Sequence, residues 1–261
     1  MRIPSFSSAV RSVAVGAAAA VCLFGAAATP AFAAPIKNIV LVHGAFVGGG
    51  GWRPVYDILT KDGYNVTLVQ EPLTSFKEDV TATKRVIDGI DGPVVLVGHS
   101  YGGAIITEAG NDEHVKSLVY IAAHALDVGE TEASNGKKYP NATKAVVKTP
   151  DGFLYLNPAN YPSDFAADLP RAQAEFEAHS QMPTAAAVFT AEIPDPAWKN
   201  KPVWYMVAKA DKIINPDLER MYAARAHAHT VEIDGASHSV YESHPKEVAA
   251  LIEQAAQQSG Q

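Results

Sequence analysis

The chain has 261 residues, 48% of them hydrophobic, which is ample for one domain with a large core. Its 28 acidic residues outnumber the 21 basic ones for a net charge of −7, and so acidic a balance carries no footprint for nucleic acid or an anionic membrane. The single cysteine, Cys22, excludes an internal disulfide framework and a cysteine-built metal cluster.

Residues 1–33 read as a secretory signal peptide. Arg2 and Arg11 supply the positive start, residues 13–28 are apolar and rich in alanine, and Ala31-Phe32-Ala33 fits the small-x-small cleavage rule. A membrane anchor needs about 20 strongly apolar residues, and this run is shorter. Cys22 follows Val21, where a lipoprotein signal requires a small residue. The expectation is therefore cleavage after Ala33 and export to the periplasm or the medium, with no stable membrane insertion of residues 34–261. That remainder holds no cysteine, so packing and hydrogen bonds alone must hold the fold.

From Ile36 onward, short apolar runs alternate with helical patterns, the mark of a parallel sheet covered by helices. The first strand is expected over 36–42. A glycine-rich loop follows, and Pro54, Val55, Ile58 and Leu59 open a helix that Gly63 stops. The second strand spans 64–69. Ser75-Phe76-Lys77-Glu78 spells a capping box, and Phe76, Val80, Thr83 and Ile87 give the helix after it one apolar face. The third strand, 94–100, ends in Gly98-His99-Ser100-Tyr101-Gly102, and a helix begins at once with Ala104-Ile105-Ile106. The fourth strand is 115–122.

Between about residues 124 and 200 the periods blur, prolines punctuate the chain, and aromatics recur. So long an interruption is not a loop, and disordered linkers are poor in aromatics. It reads as an inserted cap with short helices, one of them near 170–181, lying over the C-terminal edge of the sheet. Alternation resumes with a fifth strand at 203–208, a helix capped by Asn215-Pro216, a sixth strand at 230–233 and a last helix from Pro245. The expected fold class is α/β, a mostly parallel sheet of about six strands in residues 34–261.

The Gly-x-Ser-x-Gly stretch is a nucleophile elbow: a buried strand, a strained turn at Ser100, and a helix whose N-terminal dipole faces the reacting centre. A serine hydroxyl is a poor nucleophile unless a base takes its proton and a third group orients that base. In this kind of sheet both partners follow later in the chain. His238 after the sixth strand is the expected base and Asp211 after the fifth the expected acid, with Asp127 after the fourth strand as the alternative. Among the other histidines, His43 and His99 are expected to brace loops beside the site, while His227, His229 and His244 suit solvated or capping positions. The N–H groups of Ala45 and Tyr101 are the expected oxyanion donors. No metal and no cofactor are expected: His227-Ala228-His229 lacks further ligands, and the glycines at 48–51 lack the lysine and hydroxyl residue of a phosphate loop.

With His43-Gly44, the elbow, Asp211 and His238 in this order, the chain resembles the α/β-hydrolase superfamily from residue 36 to 256. The His-Gly-Ala loop with Gly51-Trp52 is similar to that of the branch holding plant methylesterases, hydroxynitrile lyases and small bacterial esterases. Hydroxynitrile lyases of this branch place a lysine directly after the catalytic histidine, where this chain has Ser239. Dehalogenases and epoxide hydrolases of the superfamily carry aspartate at the elbow. The resemblance implies a serine hydrolase acting through an acyl-enzyme on small to medium hydrophobic esters, with Phe46, Phe153, Tyr155 and Phe176 expected around the substrate. A lactonase acting on substrates such as acyl-homoserine lactones, a cofactor-free perhydrolase, and a small-molecule-binding protein on a hydrolase scaffold stay open at this point. The sequence sets no oligomeric state.

Overall fold

The computed structural model describes residues 34–259, together with Met1, Pro4 and Ser5, so the expected signal segment and its cleavage site lie outside the described residues. In chain order the elements are β1 (Asn38–Val42), α1 (Arg53–Lys61), β2 (Asn65–Leu68), α2 (Phe76–Asp88), β3 (Val94–Ser100), α3 (Gly102–Ala109) and β4 (Val115–Ala123). Then come α4 (Glu132–Lys138), β5 (Val146–Lys148), β6 (Phe153–Leu156), α5 (Tyr161–Asp164), α6 (Arg171–His179) and β7 (Thr184–Ala185). The chain closes with β8 (Val203–Ala208), α7 (Pro216–Arg225), β9 (His229–Ile233), α8 (Val240–Ser243) and α9 (Pro245–Gln258).

Six strands pair in the order β2-β1-β3-β4-β8-β9, and every pairing is parallel. A sheet covered on both faces needs strands that are apolar throughout, which is why β3 reads as a continuous hydrophobic run and is buried at all seven positions. Its residues divide by alternation. Val94 and Leu96 join Val80, Ile87, Ile105 and Leu218 from α2, α3 and α7. Val95 and Val97 pack on the opposite face with Val55, Leu59, Val248 and Ile252 from α1 and α9. The helices begin where local chemistry dictates: Ser75 accepts from the Glu78 N–H at 3.2 Å, and Asn215 accepts from the Asp217 N–H at 2.9 Å.

Between β4 and β8 the chain builds α4 to α6 and, unlike the helices expected there, a three-stranded antiparallel sheet in the order β5-β6-β7. The sheet turns on Thr149-Pro150-Asp151-Gly152. Proline presets the turn, Gly152 takes φ +93°, and the Thr149 N–H donates to the Phe153 carbonyl at 2.8 Å. This insertion is tied to loops at the carboxyl ends of the main strands. The Phe46 N–H donates to Thr184 Oγ1 and the Phe46 carbonyl accepts from the Met182 N–H, both at 3.0 Å. Asp168 holds the Ser237 N–H at 3.1 Å and also accepts from the Ser237 hydroxyl, and the Ser239 N–H donates to the Phe165 carbonyl at 3.0 Å.

Candidate active site

Ser100 ends β3 with φ +54°, a left-handed conformation that costs a non-glycine residue about 1–3 kcal/mol and persists only where its surroundings impose it. Here they do. A Cβ at Gly98 would sit 2.6 Å from the Gly102 carbonyl oxygen, and one at Gly102 would sit 2.5 Å from that of His43. The two glycines thus let the chain double back on itself and let α3 press against the end of β1. Gly44 extends the same crowding, since a Cβ there would meet Ser100 Cβ at 2.7 Å.

The turn presents the Ser100 hydroxyl to the loop after β9. His238 Nε2 lies 2.8 Å from Ser100 Oγ, and His238 Nδ1 lies 2.5 Å from Asp211 Oδ2. All three residues are buried. Asp211 Oδ1 accepts the N–H groups of Ile213 and Ile214 at 2.6 and 2.9 Å, which fixes the carboxylate with its other oxygen turned to the imidazole. Asp127, the alternative acid, is instead paired with Lys199 at the surface.

Ala45 and Tyr101 flank Ser100 from the loop after β1 and from the N-terminus of α3. Neither N–H donates to a protein acceptor among the described residues. The Tyr101 ring is anchored away from the serine, its hydroxyl donating to Asp79 Oδ2 at 2.6 Å while Asp79 Oδ1 accepts from the Leu73 N–H at 2.8 Å. Burial raises Asp79 above the ordinary carboxylate range. His43 braces the other donor loop: its Nδ1 lies 2.8 Å from the Gly44 carbonyl oxygen and its Nε2 2.5 Å from Glu71 Oε2. Burial works against a charged ring there, but the Glu71 carboxylate outweighs it and raises His43. His99 Nε2 lies 2.9 Å from the His238 carbonyl oxygen, and burial, followed by the charge of His238, holds His99 well below its ordinary value, so it is neutral and donates.

Behind Asp211 lies Glu219, fully buried, with Oε2 accepting the Ala208 N–H at 3.0 Å. Burial and then the Asp211 charge push it well above the carboxylate range. Pattern reading missed Glu219 and Asp79. The signal was a carboxylate on the buried face of an otherwise amphipathic helix, Asp79 one position before Val80 and Glu219 one after Leu218.

Ser100 opens into a cavity of about 300 Å³ whose walls include Ala45, Phe46, Leu154, Leu156, Phe189, Ile213 and Leu218. Of the aromatics expected around the substrate, only Phe46 is there. Phe153 and Tyr155 are corrected to their neighbours, because alternation along β6 turns Leu154 and Leu156 to the cavity and the two aromatics away from it. Phe176 is 72% exposed and borders a different cavity of about 530 Å³, which contains neither Ser100 nor His238. Polar residues that the sequence did not single out, His124 and Glu132 among them, also line the Ser100 cavity.

Residues 39–251 match the model described as the Alpha/beta hydrolase family. A carbendazim hydrolyzing esterase of Nocardioides sp. (strain SG-4G) is 34% identical over 110 residues, 37% of this chain and 46% of that protein, so the match spans about half of that relative's length. Methylesterase 18 of Arabidopsis thaliana is 25% identical over 261 aligned positions, covering 84% of this chain and 97% of its own. Among solved structures, a pyrethroid hydrolase from Sphingobium faniae JZ-2 superimposes with a TM-score of 0.73 at 20% identity, over 85% of this chain and 97% of that one, a likeness of fold. The family match takes in the elbow, both loops that meet at Ser100 and all six parallel strands, and the chain belongs to the alpha/beta hydrolase family.

Proposed function

We propose that the protein is a carboxylic-ester hydrolase that works through an acyl-enzyme on Ser100. The observation that carries this reading is the continuous Ser100–His238–Asp211 hydrogen-bonded line at 2.8 and 2.5 Å, set on a strained turn beside two free backbone donors. His238 Nε2 takes the Ser100 proton as Oγ attacks the ester carbonyl, and the oxyanion of the tetrahedral adduct rests on the Ala45 and Tyr101 N–H groups. The C–O bond to the leaving alcohol breaks as His238 returns the proton to that oxygen. Water then attacks the acyl-enzyme by the same route, His238 accepting its proton and passing it back to Ser100 Oγ. The relatives named as esterases support the class of reaction.

The cavity volume fits a small to medium ester, and its leucines and phenylalanines favour an apolar acyl or alcohol group over most of their length. A serine-directed phosphonate should label Ser100 stoichiometrically, and p-nitrophenyl acetate hydrolysis should vanish in Ser100→Ala. Turnover that survives in Ser100→Ala would overturn the assignment. We also propose, from the pattern of residues 1–33, that the protein is exported and processed after Ala33. Mass spectrometry of the exported chain should find Ala34 at the N-terminus, and an intact Met1 would refute it.

A further inference from the structure

The cavity that holds Ser100 also holds a buried carboxyl group that no step of ester hydrolysis uses. Glu132 opens α4, is 7% exposed, and lines the same cavity as Ser100 and Ala45. A chain of side chains leads to it. Arg225 donates to both oxygens of Glu130 at 2.8 and 2.7 Å. Asn135 spends both amide hydrogens, one on Glu130 Oε2 at 2.9 Å and one on the Tyr222 hydroxyl oxygen at 3.0 Å. The Tyr222 hydroxyl in turn lies 3.2 Å from His124 Nδ1. His124 is neutral, since burial and then the charge of His238 lower it to about 3. Its Nε2 lies 3.3 Å from Glu132 Oε2.

The line ends there. Among the described residues Glu132 Oε1 has no hydrogen-bond partner. An ionised carboxylate offers about four lone-pair sites, and a neutral one still accepts. The nearest side-chain nitrogen, His124 Nε2 at 3.3 Å from Oε2, makes no hydrogen bond to it. Among the other polar groups of the cavity, which include Tyr139 and Asn141, Thr143 Oγ1 donates to Asp164 at 2.7 Å, and the Asn215 amide bonds the Pro140 carbonyl and the Asp217 N–H. Lys137, also at the cavity, is exposed. Among the described residues, none of these groups donates a hydrogen bond to Glu132.

We propose that Glu132 determines substrate specificity, accepting a hydrogen bond from an O–H or N–H group that an otherwise apolar ester carries away from its reacting carbonyl. The proposal rests on the ester-hydrolase reading and refines it, from apolar esters in general to esters with one polar donor. Burial alone raises Glu132 to about 8, so at neutral pH a hydroxyl meets a mostly neutral carboxyl, and an ammonium group would draw it into the charged form. A site built to meet a substrate hydroxyl rejects the analogue without it, because its own polar group is then left unpaired.

The test uses methyl esters of straight-chain acids in three matched sets of increasing chain length: plain, with a terminal hydroxyl, and with a terminal amine. At the best-fitting length the wild type should prefer a donor-bearing ester over the plain one by about tenfold in kcat/KM. Glu132→Leu should abolish that ratio. Glu132→Gln, which keeps an acceptor but no charge, should retain a preference for the hydroxyl and lose any preference for the amine. Calorimetry on Ser100→Ala and on Ser100→Ala with Glu132→Leu reads the same ratio as dissociation constants, so the role of Glu132 is measured even if no ester is turned over. A ratio of one in the wild type at every chain length, or an equal ratio in wild type and Glu132→Leu, overturns the proposal. Failure of phosphonate to label Ser100 overturns the hydrolase reading instead.

Discussion

Asp211→Asn is the sharpest probe of the line from Asp211 to Ser100. In the native carboxylate, Oδ1 accepts two backbone N–H groups at 2.6 and 2.9 Å and Oδ2 faces His238 Nδ1 at 2.5 Å. An asparagine must place its NH2 at one of these positions. Turning it to Ile213 and Ile214 sets donors against donors and loses two hydrogen bonds in a buried place, at about 1–3 kcal/mol for each group left unpaired. The amide therefore keeps its oxygen on the backbone and turns its NH2 to the imidazole. Nδ1 must then accept, the ring hydrogen moves to Nε2, and at 2.8 Å from Ser100 Oγ that nitrogen can no longer take a proton. The expected loss is about 10⁴ in kcat, or roughly 5.5 kcal/mol of transition-state stabilisation. Initial rates with p-nitrophenyl acetate from mildly acidic to alkaline pH would show it, with the residual rate climbing with hydroxide. The melting temperature should change little, since every heavy-atom position is kept. Asp127→Asn, at a residue paired with Lys199, is the companion measurement and should leave the rate near that of the wild type. A folded Asp211→Asn protein that loses less than about tenfold, or an equal loss in Asp127→Asn, would refute the assignment of the acid.

Gly102→Ala would drive a Cβ to 2.5 Å from the His43 carbonyl oxygen and push the first turn of α3 off β1. Because Tyr101 N–H moves with that turn, kcat should fall by about 10² and stability by about 1–3 kcal/mol, and unchanged values of both would contradict the close approach. Leu154→Ala and Leu156→Ala should shift acyl-chain preference by about tenfold in relative kcat/KM, while Phe153→Ala and Tyr155→Ala should not; the opposite pattern would place the wrong face of β6 in the cavity. Stability should peak in mildly acidic solution. Burial raises Glu132 to about 8, and burial with the neighbouring Glu177 raises Glu242 to about 9, so the folded state binds these protons more tightly than the unfolded one. Their contribution is fully present below the ordinary value of 4.5 and is lost as pH rises through 8 and 9, at about 1.4 kcal/mol per pH unit for each group. Glu130, which Arg225 holds at about 2 against its burial, acts in the opposite sense and loses its contribution as pH falls from 4.5 toward 2. A melting temperature that rises from mildly acidic to alkaline pH would refute this balance.

The parallel sheet was legible because its four central strands are buried on both faces and read as apolar runs, and the helices between them carry one-sided patterns with clear caps. The line through Ser100, His238 and Asp211 was legible because chain order and strand ends constrain where its members fall. The inserted segment resisted for a physical reason. Its strands are two to four residues long, too short for alternation to register, and they are held by the Thr149–Gly152 turn and by bonds to distant loops. The Pro-Asp-Gly signal was present in the sequence, yet which face of β6 meets the substrate depends on register with β5 and β7, a long-range property. Aromatic content alone pointed to Phe153, Tyr155 and Phe176. Glu132 and Glu219 were hidden because a charged residue in a helix is ordinarily solvated, and only the packed structure reveals that each faces inward.

The hydrogen bonds from the insertion to Phe46, Ser237 and Ser239 change what that segment is. Phe46 follows Ala45, and Ser237 and Ser239 bracket His238, so the loops carrying the proposed oxyanion donor and the proposed base both hang from it. A lid that merely covered a finished site could open without altering the chemistry beneath. Here any displacement of the segment large enough to break those contacts also frees the backbone on which the base and one anion donor are carried. A shorter or transplanted insertion would therefore have to supply the same three anchors to hold Ala45 and His238 where they stand beside Ser100.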